Sequence, residues 1–175
     1  HSLDWVSSGY DETHNKNNIK HLGLNNFGKE VIHTCNENGV LIDMSHIGEK
    51  SFWDIASIST KPFIASHSSV YKLSQHFRNL KDDQILEIKR VEGLVGLNPY
   101  PFFIDSSFRK KEENFIKKYK DVLDQISVKE TNKTTAWILK QHYLQKLLKD
   151  IVPSLDIFID HIEYVINLIG IDYVG

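Results

Sequence analysis

Val40-Leu41-Ile42-Asp43-Met44-Ser45-His46 is an almost unbroken apolar run that closes on a Ser-His pair. Pro62-Phe63-Ile64-Ala65-Ser66-His67-Ser68-Ser69 repeats the pattern, with His67 standing 21 positions after His46. Such runs suit strands covered on both faces, and Pro62 sits where a strand tolerates a missing N–H, at its first residue. Between the runs, Glu49 to Ile58 carries Phe52, Trp53, Ile55 and Ala56 at helical spacing. A strand–helix–strand step with a right-handed crossover makes the two strands parallel. Both imidazoles are then expected at the same ends of neighbouring strands. Adjacent strands lie ~4.8 Å apart and a zinc–nitrogen bond is ~2.1 Å, so the spacing suits two ligands of one metal ion.

The same alternation continues outward. Residues 7–27 are polar and read as a long loop, and a helix is expected from Asn26 to about Asn38, stopped by Gly39. After His67 a polar loop runs to Asn79, expected to cap a helix over Leu80 to Val91. Gly93 ends that helix, Leu94 to Asn98 reads as a third strand, and Pro99 and Pro101 forbid its extension. Residues 105–150 read as long, charged and helical, with Trp137, Ile138, Leu139, Tyr143, Leu144 and Leu147 forming apolar stripes. Leu155 to Leu168 is an amphipathic helix, and Ile171 is expected to begin a fourth strand. Repeated strand–helix alternation predicts an α/β fold with a parallel sheet. A full (β/α)8 TIM barrel needs ~250 residues, so the chain is expected to be about the C-terminal half of one. It reads as a single partial-barrel domain over residues 1–175 with a helical insertion at about 105–150. His46, His67, Asn98 and the loop bearing Arg78 would gather at the C-terminal ends of the strands, where such barrels carry their sites.

With 175 residues, 41% hydrophobic and 25% charged, the chain can form a core. A net charge of −2 argues against a nucleic-acid surface, which needs a basic excess. Lys110, Lys111, Lys117, Lys118 and Lys120 are interleaved with Glu112, Glu113 and Asp121, the pattern of a solvated helix face. Cys35 is the only cysteine, so no internal disulfide forms, and its helical setting predicts a buried filler. No apolar segment reaches the ~18 residues of a membrane span, which leaves the compartment undetermined. His1 opens the chain without a methionine and Ile171 to Gly175 reads as half a strand, so an excised part of a longer protein is expected.

Several ordered blocks carry a family resemblance: Gly23-Leu24-Asn25-Asn26-Phe27-Gly28-Lys29-Glu30-Val31, the two Ser-His runs, and Arg78-Asn79-Leu80-Lys81-Asp82-Asp83. The stretches Gly93 to Pro101, Asp160-His161-Ile162 and Gly170 to Gly175 continue it. Together they resemble the membrane dipeptidase (renal dipeptidase) family of zinc metallopeptidases. That resemblance implies a (β/α)8 barrel that hydrolyses dipeptides with two Zn2+ ions and a metal-bound hydroxide. It implies that His46 and His67 are the histidine ligands of the second zinc, at the ends of the fifth and sixth strands. Arg78 would grip the substrate's free carboxylate, and His1 would contact the tetrahedral intermediate. A homodimer is the assembly it implies. The family's His-x-Asp pair, its bridging carboxylate and the aspartate of its Gly-Ser-Asp-Phe-Asp-Gly segment have no counterpart in this sequence. The isolated chain is therefore expected to be inactive.

The remaining polar residues carry two readings each. Ser45 and Ser66 lack a Gly-x-Ser-x-Gly elbow and are expected to support neighbours or backbone by hydrogen bonding. Asp43 would either orient a ligand or bond to loop amides as a buried acid. Tyr100 would line the pocket or pack beside Pro99 and Pro101. His14, His21, His33, His76, His142 and His161 show no paired spacing, and His161 is expected to face outward or cap. Two rival functions share these features: an amidohydrolase-type metal-dependent barrel hydrolase, and a non-catalytic α/β binding module with structural histidines.

Overall fold

The structure, a computed structural model, describes residues 3–15, 17, 19–130, 132–149 and 151–175. Helix α1 (Gly9–His14) lies inside the stretch expected to be loop. It lacks an apolar stripe and is held from outside: the Ser8 hydroxyl accepts from Asp11 N at 3.2 Å and donates to the Asp11 carboxylate at 2.6 Å, while Gly9 N donates to His46 O at 3.1 Å. Helix α2 (Asn26–Glu37) starts where expected, with the Asn25 side chain accepting from Gly28 N at 2.8 Å. Cys35 on this helix is half-buried rather than enclosed. The chain reverses at Gly39, whose φ of 66° is left-handed, and enters β1.

Strands β1 (Ile42–Asp43) and β2 (Phe63–Ile64) pair in parallel, Ile42 opposite Phe63 and Asp43 opposite Ile64, with α3 (Glu49–Ile58) between them. The parallel pairing runs on as single bridges from Ala65 to Val95 and from Val95 to Val174. Ala65 N donates to Leu94 O at 2.9 Å, Gly96 N to Ala65 O at 2.7 Å and Val95 N to Tyr173 O at 2.9 Å. Four staves thus lie side by side in chain order, which is the arrangement of a partial (β/α)8 barrel. The ladders are shorter than the apolar runs suggested. The expected fourth strand from Ile171 is a 3-10 turn over Ile171–Tyr173, and its pairing begins only at Val174.

Alternate residues of each stave point outward beneath the helices. Met44, Phe63, Ala65 and Val95 are buried there against Phe52 and Ile55 of α3, Ile85 and Ile88 of α4 (Asp82–Arg90), and Val165 and Ile169 of α9 (Leu155–Ile169). Phe52 meets Phe63 edge-on at 5.9 Å. Each side chain of this size contributes roughly 1.5–3 kcal/mol when fully buried, so this layer is what holds the staves in register. Helix α4 packs on α9, and the Tyr164 hydroxyl donates to the Asp82 carboxylate at 2.9 Å. The other set, including Asp43 and Ser66, faces the barrel interior.

Two further expectations change. Asn79 does not cap α4; Lys81 holds that position, and the Asn79 amide instead donates to Ser74 O at 2.8 Å and Phe103 O at 2.6 Å. His161 is enclosed, 1% exposed, rather than outward. Its Nδ1 accepts from Val70 N at 3.0 Å and its Nε2 lies 3.1 Å from Ile104 O.

Residues 101–148 form α5 (Pro101–Ile104), α6 (Phe108–Lys118), α7 (Lys120–Lys129) and α8 (Lys133–Leu148). Trp137, Ile138 and Leu139 of α8 are 61%, 53% and 46% exposed, so the stripe expected there is not covered by the described residues. None of the described helices is long and apolar enough to cross a membrane.

Candidate metal centre

The staves deliver the two histidines to one place. Each Ser-His pair follows directly on its parallel strand, and the barrel register sets β1 beside β2. His46 Nε2 and His67 Nε2 lie 2.9 Å apart, with ring centroids at 4.9 Å. Two nitrogens at that separation fit one ion bound at ~2.1 Å by each. Burial lowers the His46 pKa, with the Arg78 and His67 charges acting in the same direction and Asp43 opposing them. A neutral imidazole is the form that binds metal.

Beneath the pair, Asp43 joins the two strand ends. Its carboxylate accepts from Ser45 N and Ser66 N, both at 3.0 Å, and from the hydroxyls of Ser45 at 2.7 Å and Ser66. Burial alone would raise its pKa, but these hydrogen bonds from Ser66 and Ser45 outweigh it and hold the carboxyl below the ordinary aspartate value. The Ser45 hydroxyl accepts from His67 N at 3.0 Å, and the Ser66 hydroxyl lies 2.6 Å from His67 Nδ1. Of the two readings of Asp43 from the sequence, the bond to loop amides is present, and the carboxylate also reaches His67 through the Ser66 hydroxyl.

Arg78 arrives from the loop after β2 and bridges the two histidine segments. Its Nε donates to Ser45 O at 2.8 Å and its Nη2 to His67 O at 3.3 Å. The guanidinium lies over the Phe103 ring at 5.1 Å. Burial lowers its pKa, Asp43 opposes that shift, and an arginine stays charged regardless. A cleft of about 710 Å³ opens between His46 and Arg78, walled by Tyr10, Phe77, Tyr100 and Phe103. Tyr100 thus lines the pocket.

The sequence reading missed part of this wall. Tyr10, on the unforeseen α1, stacks on His14 at 4.9 Å, and Arg109 of α6 also borders the cleft. His76 lies between Phe77 and Phe103, at 4.3 and 4.8 Å. Burial, then the charges of Arg78 and Arg109, push its pKa down to about 4. No local spacing pointed to it, because Phe103 and Arg109, which complete its surroundings, come from separate segments. His1, expected to contact the intermediate, lies outside the described residues. Among the described residues no group of three or more His, Cys, Asp or Glu is placed to hold a metal ion. The donor set here is therefore a pair, with Asp43 occupied by its hydrogen bonds.

Comparison with known proteins bears on the family and the fold. The model of "Membrane dipeptidase (Peptidase family M19)" matches residues 2–175. An uncharacterized dipeptidase of Schizosaccharomyces pombe is 38% identical over 82 residues, covering 47% of this chain and 20% of that protein. The structure of a probable dipeptidase, PvdM, from Pseudomonas aeruginosa superposes with a TM-score of 0.62 at 24% identity, over 87% of this chain and 42% of that one. A metallo peptidase from Rhodobacter sphaeroides, liganded with a phosphinate mimic of the dipeptide L-Ala-D-Ala, gives 0.60 at 23%, over 87% and 32%. At these identities the structural likeness speaks to fold. The chain spans less than half the length of each of these relatives.

Proposed function

The chain belongs to the membrane dipeptidase family, and from that premise we propose that the whole protein is a zinc-dependent dipeptidase in which His46 and His67 hold one metal ion and Arg78 takes the substrate's terminal carboxylate. The observation that carries the reading is the 2.9 Å approach of two imidazole nitrogens at the C-terminal ends of adjacent barrel strands. His46 and His67 would hold the metal there, and a bound zinc would supply Lewis acidity toward the scissile carbonyl and a bound water. His46 and His67 fix the position of that chemistry. Arg78 donates Nε and Nη2 to the two histidine segments, which ties its charge to the metal ligands, and it lines the cleft that a carboxylate would enter. Holding the carboxylate at a set distance from the metal selects short substrates and orients the peptide bond. The dipeptide mimic bound to the Rhodobacter sphaeroides relative supports a substrate of this class.

Metal analysis and kinetics of the full-length protein test the proposal. About two metal ions per chain are expected, as in two-metal hydrolases, and His67→Ala should abolish metal-dependent dipeptide hydrolysis. Arg78→Ala should chiefly raise KM for dipeptides with a free carboxylate. Equal losses on free and carboxyl-amidated dipeptides would remove Arg78 from its role. Absence of metal after reconstitution would leave the histidines structural.

A further inference from the structure

We infer that Ser66 is a positioning residue that sets the tautomer of His67, with Asp43 holding the serine's proton. The argument is a count of hydrogens. A serine hydroxyl has one proton and can accept as well. Ser66 gives its proton to the Asp43 carboxylate, which is acceptor-only when ionised. The oxygen that remains, 2.6 Å from His67 Nδ1, can only accept there, so Nδ1 carries the hydrogen. The lone pair of His67 is then on Nε2, the atom 2.9 Å from His46 Nε2. Ser45 repeats the device on the backbone: it donates to Asp43 at 2.7 Å and accepts from His67 N at 3.0 Å. One carboxylate thus takes both hydroxyl protons, and both hydroxyl oxygens grip the same histidine. Two Ser-His pairs on adjacent staves are what allow this, since each serine must reach both the shared aspartate and His67.

The inference rests on the reading of His67 as a metal ligand and goes beyond it, because ligation alone does not require a serine. Histidine ligands are commonly oriented by a partner on the second ring nitrogen, and losing that partner costs about 10–100-fold in metal affinity. Here the partner is a hydroxyl poised by a carboxylate. Ser66 lies on the inner face, outside the core layer packed beneath the helices, so removing its hydroxyl opens no cavity in that layer.

The test uses the full-length protein as wild type, Ser66→Ala, Ser66→Thr and His67→Ala. In the metal-free wild type, nitrogen-15 shifts should show His67 as the Nδ1–H tautomer. In Ser66→Ala the ring should relax toward the Nε2–H form that free histidine prefers. Zinc affinity, measured by chelator competition, should fall about 10–100-fold in Ser66→Ala and recover in Ser66→Thr, which keeps the hydroxyl. An unchanged tautomer and affinity in Ser66→Ala overturns the inference, as does a Ser66→Thr protein no better than Ser66→Ala. If His67→Ala also binds zinc like the wild type, the ligand reading itself falls; if only His67→Ala loses zinc, the ligand reading stands and the serine's role does not.

Discussion

His161→Leu is expected to destabilise the protein by about 2–4 kcal/mol, although the position lies on an outer helix. The imidazole is 1% exposed and joins two backbone groups from distant segments: it accepts from Val70 N at 3.0 Å and donates to Ile104 O at 3.1 Å. Leucine fills a similar volume and leaves both groups buried without a partner, at roughly 1–3 kcal/mol each, with apolar burial offsetting part of the loss. Two further variants separate the bonds. Asparagine places an acceptor near Nδ1 and should restore the Val70 bond, and glutamine places a donor near Nε2 and should restore the Ile104 bond. Each should recover about half the loss. The dependence on pH has a definite sign. Burial depresses the His161 pKa below its ordinary 6.5, while Ile104 O and Asp160 oppose the shift. The unfolded chain therefore takes up the proton first, so the contribution is complete above about pH 6.5 and is lost as the pH falls below it. Urea unfolding of wild type and the three variants at neutral and mildly acidic pH measures this. A leucine variant within ~0.5 kcal/mol of wild type, or asparagine and glutamine variants no better than leucine, would refute the bridging argument.

Other substitutions probe the site. At Gly96 an added Cβ would stand 2.2 Å from Ser66 O, a backbone atom, so Gly96→Ala must push the third stave away from β2. A loss of about 1–3 kcal/mol together with weaker zinc binding is expected by denaturation and chelator competition, and unchanged zinc binding would show that the stave does not brace His67. Arg78→Lys keeps the charge but replaces the planar fork with a single point. Losing one charge-assisted bond of about 1.5–3 kcal/mol should raise KM for free dipeptides roughly 10–100-fold, and amidated dipeptides should be little affected. The His76 pKa of about 4 lies below the ordinary 6.5, so this residue's contribution to stability should fade as the pH drops from about 6.5 toward 4. Unfolding of His76→Phe should show a shallower loss over that window, and an identical pH profile would count against the assignment.

Much of the architecture is legible locally. Helix α3 has the expected bounds because Phe52, Ile55 and Ala56 all fall on one face, and α2 starts just after Asn25 because an asparagine cap can accept from the third amide after it. The two apolar runs ending in Ser-His announce adjacent parallel staves, and the pairing of Ile42 with Phe63 follows. Where the local signal was weak, neighbours decided. Helix α1 lacks an apolar stripe and is anchored to His46 O. Asn79 had the right chemistry for a cap, but the carbonyls of Ser74 and Phe103 claimed its amide.

Residue order by itself determined the α/β alternation, the placement of His46, His67 and Arg78 above the strand ends, and the family. The alternation and the placements depend on periodicity, caps and spacings along short stretches, and the family resemblance on ordered blocks spread from Gly23 to Gly175. Only the tertiary structure decided that Asp43 holds both serine hydroxyls, that Arg78 bridges the two histidine segments, and that His161 is buried between Val70 and Ile104. A hydrogen-bond partner is chosen by distance and direction in space, and closing the staves brings together atoms that lie as far as 91 positions apart along the chain.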